Sequence, residues 1–147
     1  MPADTPVDPA VIADSLRPGL MRVARRLRQE AQKAGISALD ALVLGQVRRS
    51  PGVGVCELAD AEQMSRPGMS GHVKRLVAAG WISREDHADD GRRSGLAVTE
   101  TGELQLEAIR RHRNDWLGGR IARLAPDDRQ KLADAAGALE RLLGLET

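Results

Sequence analysis

Ile12, Leu16, Leu20, Val23, Leu27 and Ala31 follow one another at intervals of four, four, three, four and four. That period predicts an amphipathic helix of roughly six turns or more. Asp8-Pro9 supplies an N-cap followed by a proline in the first turn. Pro18 lies inside the helix and predicts a kink there, because proline removes a hydrogen bond and crowds the preceding turn. The segment ends near Gly35. Ser37 with Asp40 three residues on has the form of a capping box, using Asp where Glu or Gln is usual. Leu39, Leu42, Val43 and Val47 predict a second buried stripe, stopped by Ser50-Pro51-Gly52. A short helix follows over about Val55 to Glu62, with Gly54 as its N-cap and Leu58 and Ala59 inward. After a tight turn at Gln63-Met64, Ser65 caps the next helix, with Pro67 in its first turn. Met69, Val73, Leu76 and Val77 form its stripe, and Gly80 stands where a left-handed residue closes a helix.

Beyond Gly80 the period changes to two. Trp81 to Asp86 and Arg93 to Thr99 read as strands flanking the polar loop His87-Ala88-Asp89-Asp90-Gly91-Arg92, a β-hairpin with a charged tip. Thr99 then caps a long helix over Leu104 to about Leu124, with Leu106, Ile109, Trp116, Leu117 and Ile121 on its apolar side. Ala125-Pro126-Asp127 breaks it. A last helix carries Leu132, Ala135, Ala136, Leu139, Leu142 and Leu143. The predicted fold class is mainly α with a small β-hairpin wing, a winged helix-turn-helix core over 37–99. Long outer helices, 8–35 and 100–147, flank that core within a single domain, 1–147. Their apolar stripes exceed what so small a core can cover, so they are expected to pack on each other or on a second subunit.

Composition narrows the function. The 147 residues are 41% hydrophobic and 29% charged, sufficient for one core without metal or disulfide support. A single cysteine, Cys56, excludes an intrachain disulfide and a Cys-rich zinc site. No apolar run approaches the roughly 18 residues of a membrane span, and Met1–Asp8 lacks the form of a signal peptide. The expectation is a soluble, cytoplasmic protein with no membrane partner. Phe and Tyr are absent and only Trp81 and Trp116 are aromatic, which argues against base stacking on aromatic platforms. The formal net charge of +1 conceals a patchy distribution. Acidic residues gather in Glu57–Glu62 and after Asp127, while Arg17–Lys33 and Ser65–Arg84 are basic. Among the basic residues only Lys33, Lys74 and Lys131 are lysine, a skew toward arginine that suits phosphate and base-edge contacts and equally follows from genome composition.

The helix opened by Ser65 carries the chemistry. With Met69, Val73, Leu76 and Val77 inward, Arg66, Gly68, Ser70, Gly71, Lys74 and Arg75 face outward, cationic and free of carboxylates. A helix entering a major groove needs close approach, donors for base edges and cations for phosphates. The start of this helix, Ser65-Arg66-Pro67, also offers backbone N–H groups to a phosphate. Gly68 and Gly71 each weaken a helix by roughly 1 kcal/mol relative to alanine, so something other than propensity favours small residues there. The plainer reading is a solvated face with two chance glycines. His72, at the margin of the stripe, reads as a packed core histidine rather than a base contact. His87 lies at the wing, as a phosphate contact or as a solvated loop residue. His112 with Glu107 does not make a metal site. Cys56 lies near a helix start but has no further feature of a redox sensor. Gly52-Val53-Gly54 follows a helix rather than a strand and is no dinucleotide loop. No nucleophile–base pair, cofactor motif or metal motif is present, so neither catalytic residues nor a cofactor are expected.

From Cys56 to Gly102 the text CELADAEQMSRPGMSGHVKRLVAAGWISREDHADDGRRSGLAVTETG resembles the multiple-antibiotic-resistance regulator (MarR) family of winged-helix repressors. The likeness rests on Glu57-Leu58-Ala59, Ser65-Arg66-Pro67, Arg75-Leu76 with Gly80-Trp81-Ile82, and Asp90-Gly91-Arg92 leading to Thr99 and Gly102. The order of the outer helices agrees as well. Val98 stands where the family usually has Leu, and Gly54 where it prefers Ser or Thr. The resemblance implies a ligand-responsive homodimeric repressor that binds double-stranded DNA at a pseudo-palindromic operator, with Arg66–Arg75 in the major groove. It also implies a wing contact to the minor groove through Arg92 or Arg93, with Asp90 paired to Arg92 and His87 nearby. It further implies a pocket for a small phenolic or anionic effector between the outer helices and the core, where Leu20, Val23 and Arg25 stand; a solvated face is the plainer reading of those arginines. A helical protein-interaction module that never touches DNA is the alternative, and an enzyme of this size is a third reading.

Overall fold

The computed structural model describes residues 6–86 and 94–144. Helix α1 (Pro9–Ala31) starts where the sequence predicts. Asp8 accepts a hydrogen bond from the Ala10 N–H, Pro9 opens the helix and Pro18 lies inside it. A 3-10 turn over 32–34 follows, and Gly35, at φ 79°, ends the segment in the left-handed region.

Helix α2 (Ala38–Arg49) is capped by Ser37, whose Oγ accepts from the Asp40 N–H at 3.1 Å. Only this half of the predicted box forms. The Asp40 carboxylate does not return to the cap but crosses to His72 and Arg75 on another helix. The predicted stripe is also corrected. Leu39 is 53% exposed and Leu42 37%, while Ala41, Val43, Leu44 and Val47 are buried. Apolar side chains occupy nearly every position from 41 to 44, so their period cannot choose a face. Turning Asp40 toward its partners rotates Ala41 and Leu44 inward.

Helix α3 (Val55–Ala61) and helix α4 (Arg66–Ala78) are joined by a tight turn in which Gln63 takes φ 52°. Leu58 and Ala59 of α3 pack with Met69, Val73 and Leu76 of α4 in one core that also takes Val43, Leu44, Val47, Ile36 and Ala31. Gly80 closes α4 at φ 79°. Its N–H bonds the Val77 carbonyl and the Trp81 N–H bonds the Leu76 carbonyl, satisfying two of the last-turn acceptors.

Strands β1 (Ile82–Asp86) and β2 (Ser94–Val98) pair antiparallel, Ile82 opposite Val98 and Asp86 opposite Ser94. Leu96 also bridges to Val53 ahead of α3, a pairing the sequence did not signal. Helix α5 (Glu100–Ile121) begins four residues before the predicted Leu104, because Thr99 caps it directly: its Oγ accepts from the Gly102 N–H at 3.0 Å. The polar first turn carries no apolar period, which hid this start. Thr99 also donates to the Gly80 carbonyl, tying the base of the hairpin to the end of α4. Gly102 is required here. A Cβ at that position would stand 2.1 Å from the Trp81 carbonyl oxygen and 2.7 Å from Val98. Gln105 donates to the Ala34 carbonyl and Arg113 to the Leu27 carbonyl, fastening α5 along α1.

Two compact units divide the chain, 1–113 and 114–147. In the second, the end of α5 carries Arg120 over the Trp116 ring at 5.9 Å, and helix α6 (Pro126–Leu143) opens with Pro126, Asp127 and Asp128. Helix α6 has no buried residue, and its Leu132, Leu139, Leu142 and Leu143 are exposed. The same holds for Val11, Ile12, Leu16 and Leu20 along α1.

Candidate nucleic-acid interface

The helix-turn-helix formed by α3 and α4 is held from several sides. Met64 N–H donates to the Ala59 carbonyl across the turn, and Gln46 of α2 bonds Glu62 at the end of α3. Ser65 then caps α4, accepting from the Gly68 N–H at 3.1 Å. A Cβ on Gly68 would stand 2.9 Å from that Ser65 Oγ, so a larger residue disturbs the cap. At Gly71 a Cβ would meet only the end of Arg75 at 3.7 Å, which leaves the surface low and open. The two glycines therefore have different reasons: one serves the cap, the other leaves room on the outer face.

Ser65, Arg66, Pro67, Gly68, Lys74 and Arg75 are exposed, and Ser70 and Gly71 half-buried. No carboxylate belongs to α4, so its outer face offers donors and positive charge alone. His72 is buried, as the sequence suggests, yet it is not merely packed. Its Nδ1 lies 2.5 Å from Asp40 Oδ1. Arg75 is not a free outward cation: its Nε donates to Asp40 Oδ2 and its Nη2 to Oδ1, both at 3.2 Å. Arg75 Nη2 also lies 2.7 Å from His72 Nδ1, so the carboxylate calls on that ring nitrogen to donate while the guanidinium calls on it to accept.

Burial raises the Asp40 pKa, but hydrogen bonds from Arg75 and His72 outweigh it and hold the carboxyl below its ordinary range. The same hydrogen bond raises Arg75 above its usual value. Asp40 lies in the first turn of α2 and Arg75 in the last turn of α4, so each charge also suits the dipole of its own helix. Sequence reasoning missed this node because it read Asp40 only as a cap. Its available signal was a carboxylate replacing Glu or Gln in the box, too short to reach back as they do.

A family model described as MarR family matches residues 34–93. An HTH-type transcriptional regulator of Mycobacterium leprae is 30% identical over 91% of this chain and 94% of its own length. The chain belongs to the MarR family. Its fold agrees with a transcriptional regulator protein from Pseudomonas aeruginosa at a TM-score of 0.79 and 30% identity, over 94% of this chain and 96% of that one. A mutant of S. aureus MepR bound to an oligodeoxyribonucleotide matches at a TM-score of 0.66 and 19% identity, over 89% and 97% of the two chains.

As a MarR-family transcriptional regulator, the chain is a winged helix-turn-helix protein of a DNA-binding class. The structure places the α4 candidates on one helix, while Leu20, Val23 and Arg25 lie exposed on α1. His87, Asp90, Arg92 and Arg93 lie outside the described residues. Cys56 is exposed in the first turn of α3. Among the described residues no cluster of metal-ligating side chains occurs, and no helix is long and apolar enough to cross a membrane.

Proposed function

We propose that the protein is a homodimeric repressor that binds a pseudo-palindromic DNA operator, setting α4 of each subunit in the major groove and releasing the DNA when a small anionic ligand binds. The carrying observation is the outer face of α4, where Arg66, Ser70, Lys74 and Arg75 stand around two glycines with no carboxylate in the helix. Such a face lies close to DNA, offers base-edge donors and repels no phosphate. The wing residues Arg92 or Arg93, with His87 and Asp90, reach the minor groove in this reading. The likeness to the oligodeoxyribonucleotide-bound MepR mutant supports DNA as the partner.

Exposed leucines along α1 and along α6 support a second copy of the chain as their cover. For the effector, Leu20 and Val23 offer apolar surface beside Arg25, the chemistry that holds a phenolic acid. A ligand that favours a dimer with the wrong spacing of recognition helices lowers DNA affinity tenfold with about 1.4 kcal/mol of differential binding. Gel shifts at moderate salt with the DNA upstream of the protein's own gene, with and without salicylate, test this reading. A shift relieved by the acid supports it. A protein that moves neither this duplex nor an unrelated one overturns it.

A further inference from the structure

Two cations stand side by side on the outer face of α4, and the structure treats them differently. Lys74 is exposed and makes no ion pair among the described residues. Arg75 is exposed over 59% of its side chain, yet two of its N–H groups are engaged by one carboxylate from α2. That carboxylate is itself nearly buried and bonded to the buried His72. A guanidinium is planar, with five donors in a rigid fork. Two bonds to Asp40, with Nη2 also 2.7 Å from His72 Nδ1, therefore fix its plane, and the Nη1 N–H groups point in set directions. Its Nη1 stands 3.7 Å from where a Cβ on Gly71 would be, so this end of the fork lies beside the glycine on the helix face.

We infer that Asp40 is a positioning residue for DNA recognition, holding the Arg75 fork in a fixed register so that it reads sequence instead of acting as a mobile phosphate clamp. This inference rests on the DNA-binding reading above. A preoriented donor set loses little freedom on binding and rejects a base edge that does not match it. A cation already paired with a carboxylate also releases fewer counterions from DNA than a free one. Lys74 is then the affinity cation and Arg75 the discriminating one, although both lie on the same face. His72 supports the arrangement from within the core through its Nδ1, which contacts both that carboxylate and Arg75 Nη2.

The test uses the full chain and two labelled duplexes of equal length, one selected from a random library by the wild-type protein and one of random sequence. In Asp40→Asn the preference for the selected duplex falls roughly tenfold, within the range of one lost bidentate contact. Its affinity for the random duplex holds or rises, and its salt slope steepens by up to about one per subunit as Arg75 becomes an unpaired cation. Arg75→Ala loses preference with little change of slope, whereas Lys74→Ala loses slope with little change of preference. In the Arg75→Ala background, Asp40→Asn adds no further loss of preference.

Parallel losses on both duplexes, or full additivity with Arg75→Ala, overturn the inference and leave Asp40 a stability residue only. NMR of the arginine Nε–H groups separates this from failure of the DNA reading, since it needs no DNA. The wild type shows a protected Arg75 Nε–H that Asp40→Asn abolishes. A wild-type Arg75 Nε–H that exchanges as fast as those of exposed arginines overturns the orientation itself. A wild type that discriminates no duplex, with the protected N–H intact, overturns the DNA reading and its use of Arg75 while leaving the restraint established.

Discussion

Asp40 is a carboxylate whose folded pKa lies below its ordinary value. Such a group binds fewer protons in the native state than in the unfolded chain, so its stabilisation is complete above the unfolded value of about 3.9 and fades as pH falls through the folded value. Glu30 acts in the same direction: it is hydrogen-bonded by Lys33 and faces Arg26, and its pKa is lowered too. Urea unfolding followed from roughly pH 7 to pH 3 therefore shows stability falling with acid. Asp40→Asn flattens that fall without removing it, because Glu30 remains; an unchanged acid limb contradicts the assignment. Gly102 gives a steric counterpart. Its missing Cβ makes room for the Trp81 carbonyl, so Gly102→Ala lowers stability by about 1–3 kcal/mol or more, read as a reduced urea midpoint. The sequence marks Gly102 only by resemblance, since its need arises from a carbonyl twenty-one residues earlier.

At the scale of elements, caps were the most legible feature. Asp8, Ser37, Ser65 and Thr99 each accept from an N–H in the first turn of the helix they precede. Ser65→Ala therefore costs about 1 kcal/mol, measurable by thermal or urea unfolding, and loosens the start of α4. An unchanged midpoint denies the cap its role. Gly80 was equally readable, because a helix followed by a strand needs a left-handed residue to turn the chain. What stayed hidden depended on partners distant in sequence. The inward face of α2 follows from Asp40 meeting α4, and Leu96 meets Val53 across all of α3 and α4. Neither is encoded in a local period. Gln63 at φ 52° also escaped, since glutamine gives no sign of a left-handed turn.

For the whole molecule, the surplus apolar surface predicted from the outer helices is present on α1 and on α6. The proposed cover is a second copy of the chain, so the expected sedimentation result at micromolar concentration is twice the chain mass; a stable monomer there contradicts the proposal. The hydrophobic period announced the amount of this surface but could not say what covers it. Whether two copies read DNA through α4 is decided by selecting duplexes from a random library with the purified protein at moderate salt. The expected pool is an enriched pseudo-palindrome with half-sites one helical turn apart, roughly 10 base pairs centre to centre. A selected pool indistinguishable from its input, or one enriched for a single site without symmetry, contradicts it.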